Sequence, residues 1–326
     1  MMNTLYPLKF KPIFKEKIWG GQKLGTILNK KINKKKKIGE SWEISSVKGN
    51  ISVVKNGFLK GNNIQELIEV YMGDLIGEKV YLKFGIEFPL LVKYIDANEF
   101  LSVQVHPDDD MAMRLHQAYG KTEMWYIIDS DTDSKIVIGF NRNVNKTELM
   151  KCIENDTLTE LLHFENVEPA DVFYIPAGLI HATGAGILLA EIQQTSDITY
   201  RIYDWGRMEN GKRRELHYEL AMEAINYSGK DIYRIDYQTI MNNSSKITEC
   251  RYFTTSLINI NNSLIRNYEN IDTFVIYLCI SGSCNIIYDS GSVIMQNGET
   301  ILIPATIKIL KLVPLSETRI LEVFIA

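Results

Sequence analysis

The sequence predicts a mainly β protein of two antiparallel barrel or jelly-roll units, the first enlarged by helical insertions and the second small. Three observations carry this. Apolar runs of four to eight residues recur, flanked by Pro, Gly, Asn or Asp. Helical periodicity is confined to a few segments. From about Arg251 the chain is almost wholly strand-like, with tight turns between successive runs. The chain divides on this reading into a larger unit over residues 1–245 and a smaller one over 246–326.

In the larger unit, strands are expected over 89–95, 101–106, 125–128, 172–175 and 187–191. Helices are expected over 64–80 and over 147–164, the latter opening on Thr147 as N-cap and carrying Leu149, Met150, Ile153, Leu158, Leu161 and Leu162. A third is expected over 216–225. The triplet Asp108-Asp109-Asp110 follows Pro107 and precedes a helical stretch, so it reads as a cap that complements the helix dipole. In the smaller unit, strands over 274–278, 284–288, 292–295 and 300–303 are separated by Ser281-Gly282-Ser283, Asp289-Ser290-Gly291 and Asn297-Gly298.

Composition narrows the class. With 326 residues, 45% of them hydrophobic, the chain can bury a real core, and a net charge of −4 gives no general footprint for nucleic acid or an anionic membrane. No apolar stretch approaches the roughly 18–20 residues that span a bilayer. The start Met1-Met2-Asn3-Thr4-Leu5-Tyr6 has no leader pattern. Cys152, Cys250, Cys279 and Cys284 form no CxxC pair, as expected of reduced thiols in the cytoplasm. The basic run from Lys30 to Lys37 reads as a solvated loop.

Three constellations carry chemistry. In Ser102-Val103-Gln104-Val105-His106, strand alternation puts Ser102, Gln104 and His106 on one face. In Lys121-Thr122-Glu123, a cation and a carboxylate again share a face at the mouth of an aromatic strand. In Pro176-Ala177-Gly178-Leu179-Ile180-His181, a tight turn delivers His181 to the start of the next strand. Jointly, Gln104, His106, Glu123 and His181 offer two imidazoles, a carboxylate and an amide oxygen, a set suited to Zn²⁺ or another borderline first-row ion. His116, His163 and His217 fall in helix-like segments and read as surface or packing residues; Trp19 and Trp42 read as core or rim aromatics. The smaller unit has no histidine, so it is expected to bind no metal and to pack against the first.

Further blocks match a known pattern: Leu8-Lys9-Phe10-Lys11-Pro12 with Trp19-Gly20-Gly21, Gly39-Glu40-Ser41-Trp42-Glu43, and Gln194-Thr195-Ser196-Asp197 leading to Tyr200-Arg201. With the three constellations they make the chain resemble the type I mannose-6-phosphate isomerases in their short bacterial form, over about the first two-thirds of its length. The resemblance implies two cupin (jelly-roll) barrels and one zinc ion per chain, held by Gln104, His106, Glu123 and His181. It implies a catalytic arginine at Arg201 with an acidic residue at Asp197, and a glutamate at Glu191. Gln104 stands where the general cupin pattern has histidine, a departure the isomerase family shares.

The implied reaction interconverts mannose 6-phosphate and fructose 6-phosphate through a zinc-stabilised enediol(ate). Moving the carbonyl from C1 to C2 needs a base, for which Glu191, Asp197 and a water activated by the metal are candidates. Ser102, Lys121 and Lys93 are candidates for the substrate phosphate, at a distance from the metal. The expected partner is a small phosphosugar, with no nucleic acid and no membrane; the sequence does not set the oligomeric state. A metal-dependent dioxygenase on the same scaffold, its two His and one carboxylate holding Fe²⁺, and a sugar-binding protein without catalysis are the rival readings.

Overall fold

The computed structural model describes residues 4–209, 211–229 and 231–325, so the opening Met1-Met2-Asn3 lies outside the described residues. The chain folds as β-sheets packed face to face. A five-stranded sheet runs in the order Tyr200–Tyr203, Val103–Val105, His181–Ala182, Lys135–Phe140, Leu162–Asn166. Next to it lies a six-stranded antiparallel sheet in the order Ile13–Gly21, Ile38–Ile44, Leu90–Ala97, Ile187–Gln194, Glu123–Ser130, Val172–Ile175. These two share a core of Ile95, Trp125, Ile127, Phe173, Ile136 and Ile138. The hydrogen-bonded sheets are open and pack in pairs as sandwiches, the double-sheet form of the barrel or jelly-roll units expected from the turn spacing.

The six-stranded sheet is buried on both faces. Along its central strands, Val92, Tyr94, Met124, Tyr126, Ala190 and Ile192 turn one way, into a cluster that includes Ile276, Leu278, Leu321 and Val323 of the C-terminal sheet. Lys93, Glu123, Trp125, Glu191 and Gln193 turn the other way. That C-terminal sheet is also six-stranded, and its edge is the two-residue strand Leu8–Lys9, Leu8 opposite Leu302. A four-stranded sheet covers its far side through Tyr277, Ile301, Cys284, Ile286, Leu310 and Leu312.

Inside that last sandwich lies one fully buried carboxylate. Glu322 accepts two hydrogen bonds from Arg266 (Nε and Nη2, 2.9 Å each) and one from Ser244 (2.7 Å). The Tyr268 hydroxyl donates to it as well. Every lone-pair direction has a donor, which a buried charge requires.

The helices depart in detail from their periodicity. The 64–80 segment is Ile64–Ile76, with an Asn63/Glu66 capping box and a kink at Met72 (φ +46°), followed by Glu78–Phe84. They break at Gly77 (φ +92°), where a Cβ would meet the Asp272 carbonyl oxygen at 2.3 Å, so only glycine fits. The 147–164 helix stops early. Lys146–Glu154 is helical, capped by Asn145 rather than Thr147, and Leu162–Asn166 is a strand carrying His163. The apolar spacing there served two elements, and Asp156 in the left-handed region (φ +58°) marks the change. Asp108 caps Asp109–His116 by accepting the Met111 N–H at 2.8 Å.

Asp96 gives a test of this packing. It is buried under the turn at Gly21 and accepts the Leu24 N–H at 3.1 Å. Burial pushes its carboxyl up to about 6. A folded value above the unfolded one makes its contribution fully present below about 4 and lost as pH rises through about 6. Asp96→Asn is therefore expected to stabilise the protein at pH 8, by up to roughly 3 kcal/mol, and to change little near pH 4. Thermal melts of both proteins at the two pH values decide it; a gain that does not depend on pH would be the wrong result.

Candidate metal centre and active site

Strand register assembles the site. Gln104 lies opposite both His181 and Arg201 in the five-stranded sheet. Val103 and Val105 turn away into a separate apolar cluster, so Ser102, Gln104 and His106 share the inner face as expected. Across the six-stranded sheet, Trp42, Lys93, Glu191 and Trp125 stand in one cross-strand row. Glu123 is opposite Gln193 in the neighbouring row.

His106, Glu123 and His181, all buried, bring one ligand atom each to within 4.8 Å of one another. His106 Nε2 is 3.6 Å from Glu123 Oε2, and His181 Nε2 is 3.5 Å from Glu123 Oε1. The other ring nitrogens are engaged: His106 Nδ1 with the Ile198 carbonyl at 2.9 Å, and His181 Nδ1 with the Leu179 carbonyl at 2.8 Å. A carbonyl only accepts, so each Nδ1 carries the proton and each Nε2 lone pair faces the centre. Burial drives His181 down to about 4 and His106 well below its ordinary value, so both imidazoles are neutral, the form a metal takes.

Glu123 shows that a cation fits here. Burial, and then the negative charge of Glu191, push its carboxyl up to about 7. Neither of its oxygens has a hydrogen-bond partner among the described residues. Lys121 Nζ lies 3.2 Å from Oε2 without hydrogen-bond geometry and 3.0 Å from His106 Nε2. Lys121 thus offers its charge to one oxygen only, and Oε1 faces the neutral His181, where a buried acceptor without a donor costs about 1–3 kcal/mol. Two neutral imidazoles beside it make a divalent ion the matching group. Gln104 Nε2 lies 3.3 Å from His181 Nε2, and rotation of the amide about its last bond exchanges that nitrogen for an oxygen ligand.

A cavity of about 440 Å³ opens above this centre, and its wall carries Lys15, Lys17, Lys93, Lys121, Arg201 and Arg214 against Glu40, Glu191 and Asp197. That surplus of cations suits an anionic ligand. Lys93 Nζ donates to Glu191 Oε1 (2.7 Å) and Gln193 Oε1 (2.6 Å), and Trp125 Nε1 donates to Glu191 Oε2 (3.1 Å). Burial opposes both charges of that pair. Glu191 and Glu40 nevertheless hold Lys93 above its ordinary value, and Lys93 and Lys121 hold Glu191 below its own. Arg201 is anchored by Ser102 Oγ (3.2 Å) and the Glu215 carbonyl (2.9 Å). Asp197 is exposed on the cavity wall.

Lys121 and Lys93 differ from their expected placing at a distance from the metal. Lys121 lies against His106 and Glu123, and Lys93 is held by Glu191 and Gln193. Sequence reasoning missed Glu40 as a wall residue and set Trp42 aside, yet Glu40 pairs with Lys17 at 3.0 Å and accepts the Trp42 indole N–H. Their signal was in the strand Ile38–Ile44, where Glu40 and Trp42 alternate with Ser41 and Glu43. His217, read as packing, accepts the Arg201 backbone N–H at 3.1 Å.

Residues 7–138 match the family described as phosphomannose isomerase type I, catalytic domain, and residues 243–319 match mannose-6-phosphate isomerase, cupin domain. The mannose-6-phosphate isomerase ManA of Bacillus subtilis (strain 168) is 37% identical over 313 residues, which cover 92% of this chain and 94% of that protein. The mannose-6-phosphate isomerase of Streptococcus mutans serotype c is 40% identical over 220 residues, 67% of each. A crystal structure of the mannose 6-phosphate isomerase from Bacillus subtilis superposes with a TM-score of 0.88 at 32% identity, covering 98% of this chain and 99% of that one.

Proposed function

The chain belongs to the type I mannose-6-phosphate isomerases, and from that premise we propose that it interconverts D-mannose 6-phosphate and D-fructose 6-phosphate at one zinc centre formed by Gln104, His106, Glu123 and His181. The observation that carries this is Glu123, a buried carboxylate with both oxygens unpartnered between two neutral imidazoles. When bound, zinc supplies Lewis-acid charge at the sugar's O1 and O2, worth several kcal/mol to the charged transition state.

The chain's own residues do the rest. A proton is taken from C2 of the aldose and delivered to C1 to give the ketose, while the C2 hydroxyl oxygen loses a proton and the C1 carbonyl oxygen gains one. Asp197 is the base on this reading, since no hydrogen bond occupies its carboxylate among the described residues and it lies on the cavity wall. Glu191, whose oxygens already accept from Lys93 and Trp125, serves as a fixed charge that keeps Lys93 protonated. Arg201, held by Ser102, stabilises the enediolate oxygens. Lys121 stands close enough to the ligand set to assist there, and Lys15 is offered to the phosphate beside Lys17 and Arg214, which are paired with Glu40 and Asp204. The catalytic and ligand residues all fall within residues 1–245, and 246–326 forms the smaller cupin-like unit. We place the protein in the cytoplasm on its four free cysteines; among the described residues no helix is long and apolar enough to cross a membrane.

The test is a coupled assay that reads fructose 6-phosphate formed from mannose 6-phosphate. Activity is expected in the loaded protein, lost after chelation and restored by zinc. Run in tritiated water, turnover is expected to leave label on carbon. Activity that survives complete chelation would defeat the zinc reading, and total absence of label would replace proton transfer with a hydride shift.

A further inference from the structure

Asp109 was read from the sequence as one of three acids capping a helix, but Asp108 is the cap, and Asp109 makes a different set of bonds. Its Oδ1 accepts the Gly120 backbone N–H at 3.0 Å and the Gln194 side-chain N–H at 2.8 Å. Its Oδ2 accepts from Arg251 Nη2 and from the Tyr252 hydroxyl, each at 2.7 Å. Gln194 Oε1 in turn accepts the Thr122 backbone N–H at 2.9 Å, and the Gln194 backbone N–H reaches the Thr122 carbonyl at 3.2 Å. The two amides held in this way belong to Gly120 and Thr122, which flank Lys121; Glu123 follows directly. Gly120 itself is pressed onto the helix start, where a Cβ would lie 2.6 Å from the Asp109 nitrogen. Thr122 Oγ1 accepts the Ala177 N–H at 3.4 Å, next to the turn that delivers His181.

We propose that Asp109 is a positioning residue for the metal centre, and that through Arg251 and Tyr252 the start of the C-terminal β unit helps to set the place of Lys121 and Glu123. The smaller unit then does more than pack. The Glu123 carboxylate has no hydrogen bond to fix it among the described residues, so its position relative to His106 and His181 depends on the strand start that carries it. Removing the Asp109 clamp takes away the acceptor of the Gly120 amide and the bond that orients the Gln194 side chain against Thr122, without touching a ligand or the cavity wall. Outer-shell groups of this kind typically change metal affinity or activity by about 10- to 100-fold. This inference rests on the metal-centre assignment above.

The experiment compares the wild-type chain with D109N, Y252F and D110N. Asp110 is a neighbouring exposed acid outside this network, which makes D110N the control. Zinc affinity is measured by competition with a chromophoric chelator, alongside kcat and KM for mannose 6-phosphate. D109N keeps size but turns a donor toward Arg251 and Tyr252; zinc binding is expected to weaken about tenfold, with kcat lowered and KM within about twofold. Y252F, which deletes one hydroxyl, is expected to shift both in the same direction by less, and D110N to match wild type. Should D109N fail to fold, Y252F decides alone. Wild-type zinc affinity and kcat in Y252F and in any folded D109N would overturn the proposal. A wild-type chain that binds no zinc would instead remove the premise, and this inference with it.

Discussion

Glu123→Gln is expected to lower kcat/KM by about a thousandfold or more and to abolish tight zinc binding, while the protein still folds. The substitution keeps the shape of the side chain and removes the one charge among the three ligand groups that lie within 4.8 Å. Losing several kcal/mol of Lewis-acid stabilisation, about 4, corresponds to about three decades in rate. The same change leaves the buried Lys121 ammonium, 3.2 Å from Oε2, without its charge partner, so chelated E123Q is expected to melt no higher than the chelated parent. Retention of stoichiometric zinc, or of activity within about tenfold of wild type, would remove Glu123 from the centre.

The second large effect is structural. Glu322→Ala is expected to destabilise the protein by about 3–5 kcal/mol, because it strips Arg266, Ser244 and Tyr268 of the acceptor they share inside the C-terminal sandwich. Breaking a buried pair from one side costs more than the pair itself contributes, since the remaining charge stays where water cannot reach it well. Denaturant unfolding should show the loss as a lower midpoint. Activity per folded molecule should be unchanged, because Glu322 lies opposite Tyr277 inside the C-terminal sandwich and contributes nothing to the cavity wall. A loss below about 1 kcal/mol would mean that the four donors find other partners.

Much of the site was legible because strand alternation is a local rule. Ser102, Gln104 and His106 had to share a face, and the turn Pro176–Gly178 had to bring His181 around. What alternation cannot give is the partner of each face. Lys93 looked like a spare cation for phosphate, and its engagement by Glu191 became visible only once two strands 98 residues apart were paired. Trp42 and Glu40 were missed for the same reason: polar and aromatic residues in a strand have no assigned direction until its neighbours are known.

The sequence by itself determined the strand-rich class and the family, because residue chemistry and short-range spacing are written along the chain. Only the tertiary structure decided that the sheets stay open and pack as sandwiches, that Lys121 lies against His106 and Glu123, and that Asp109 joins Gly120 to Arg251 and Tyr252 of the C-terminal unit. Those are contacts between segments tens to hundreds of residues apart, and their geometry is set by sheet register and by which faces pack together, not by any local preference.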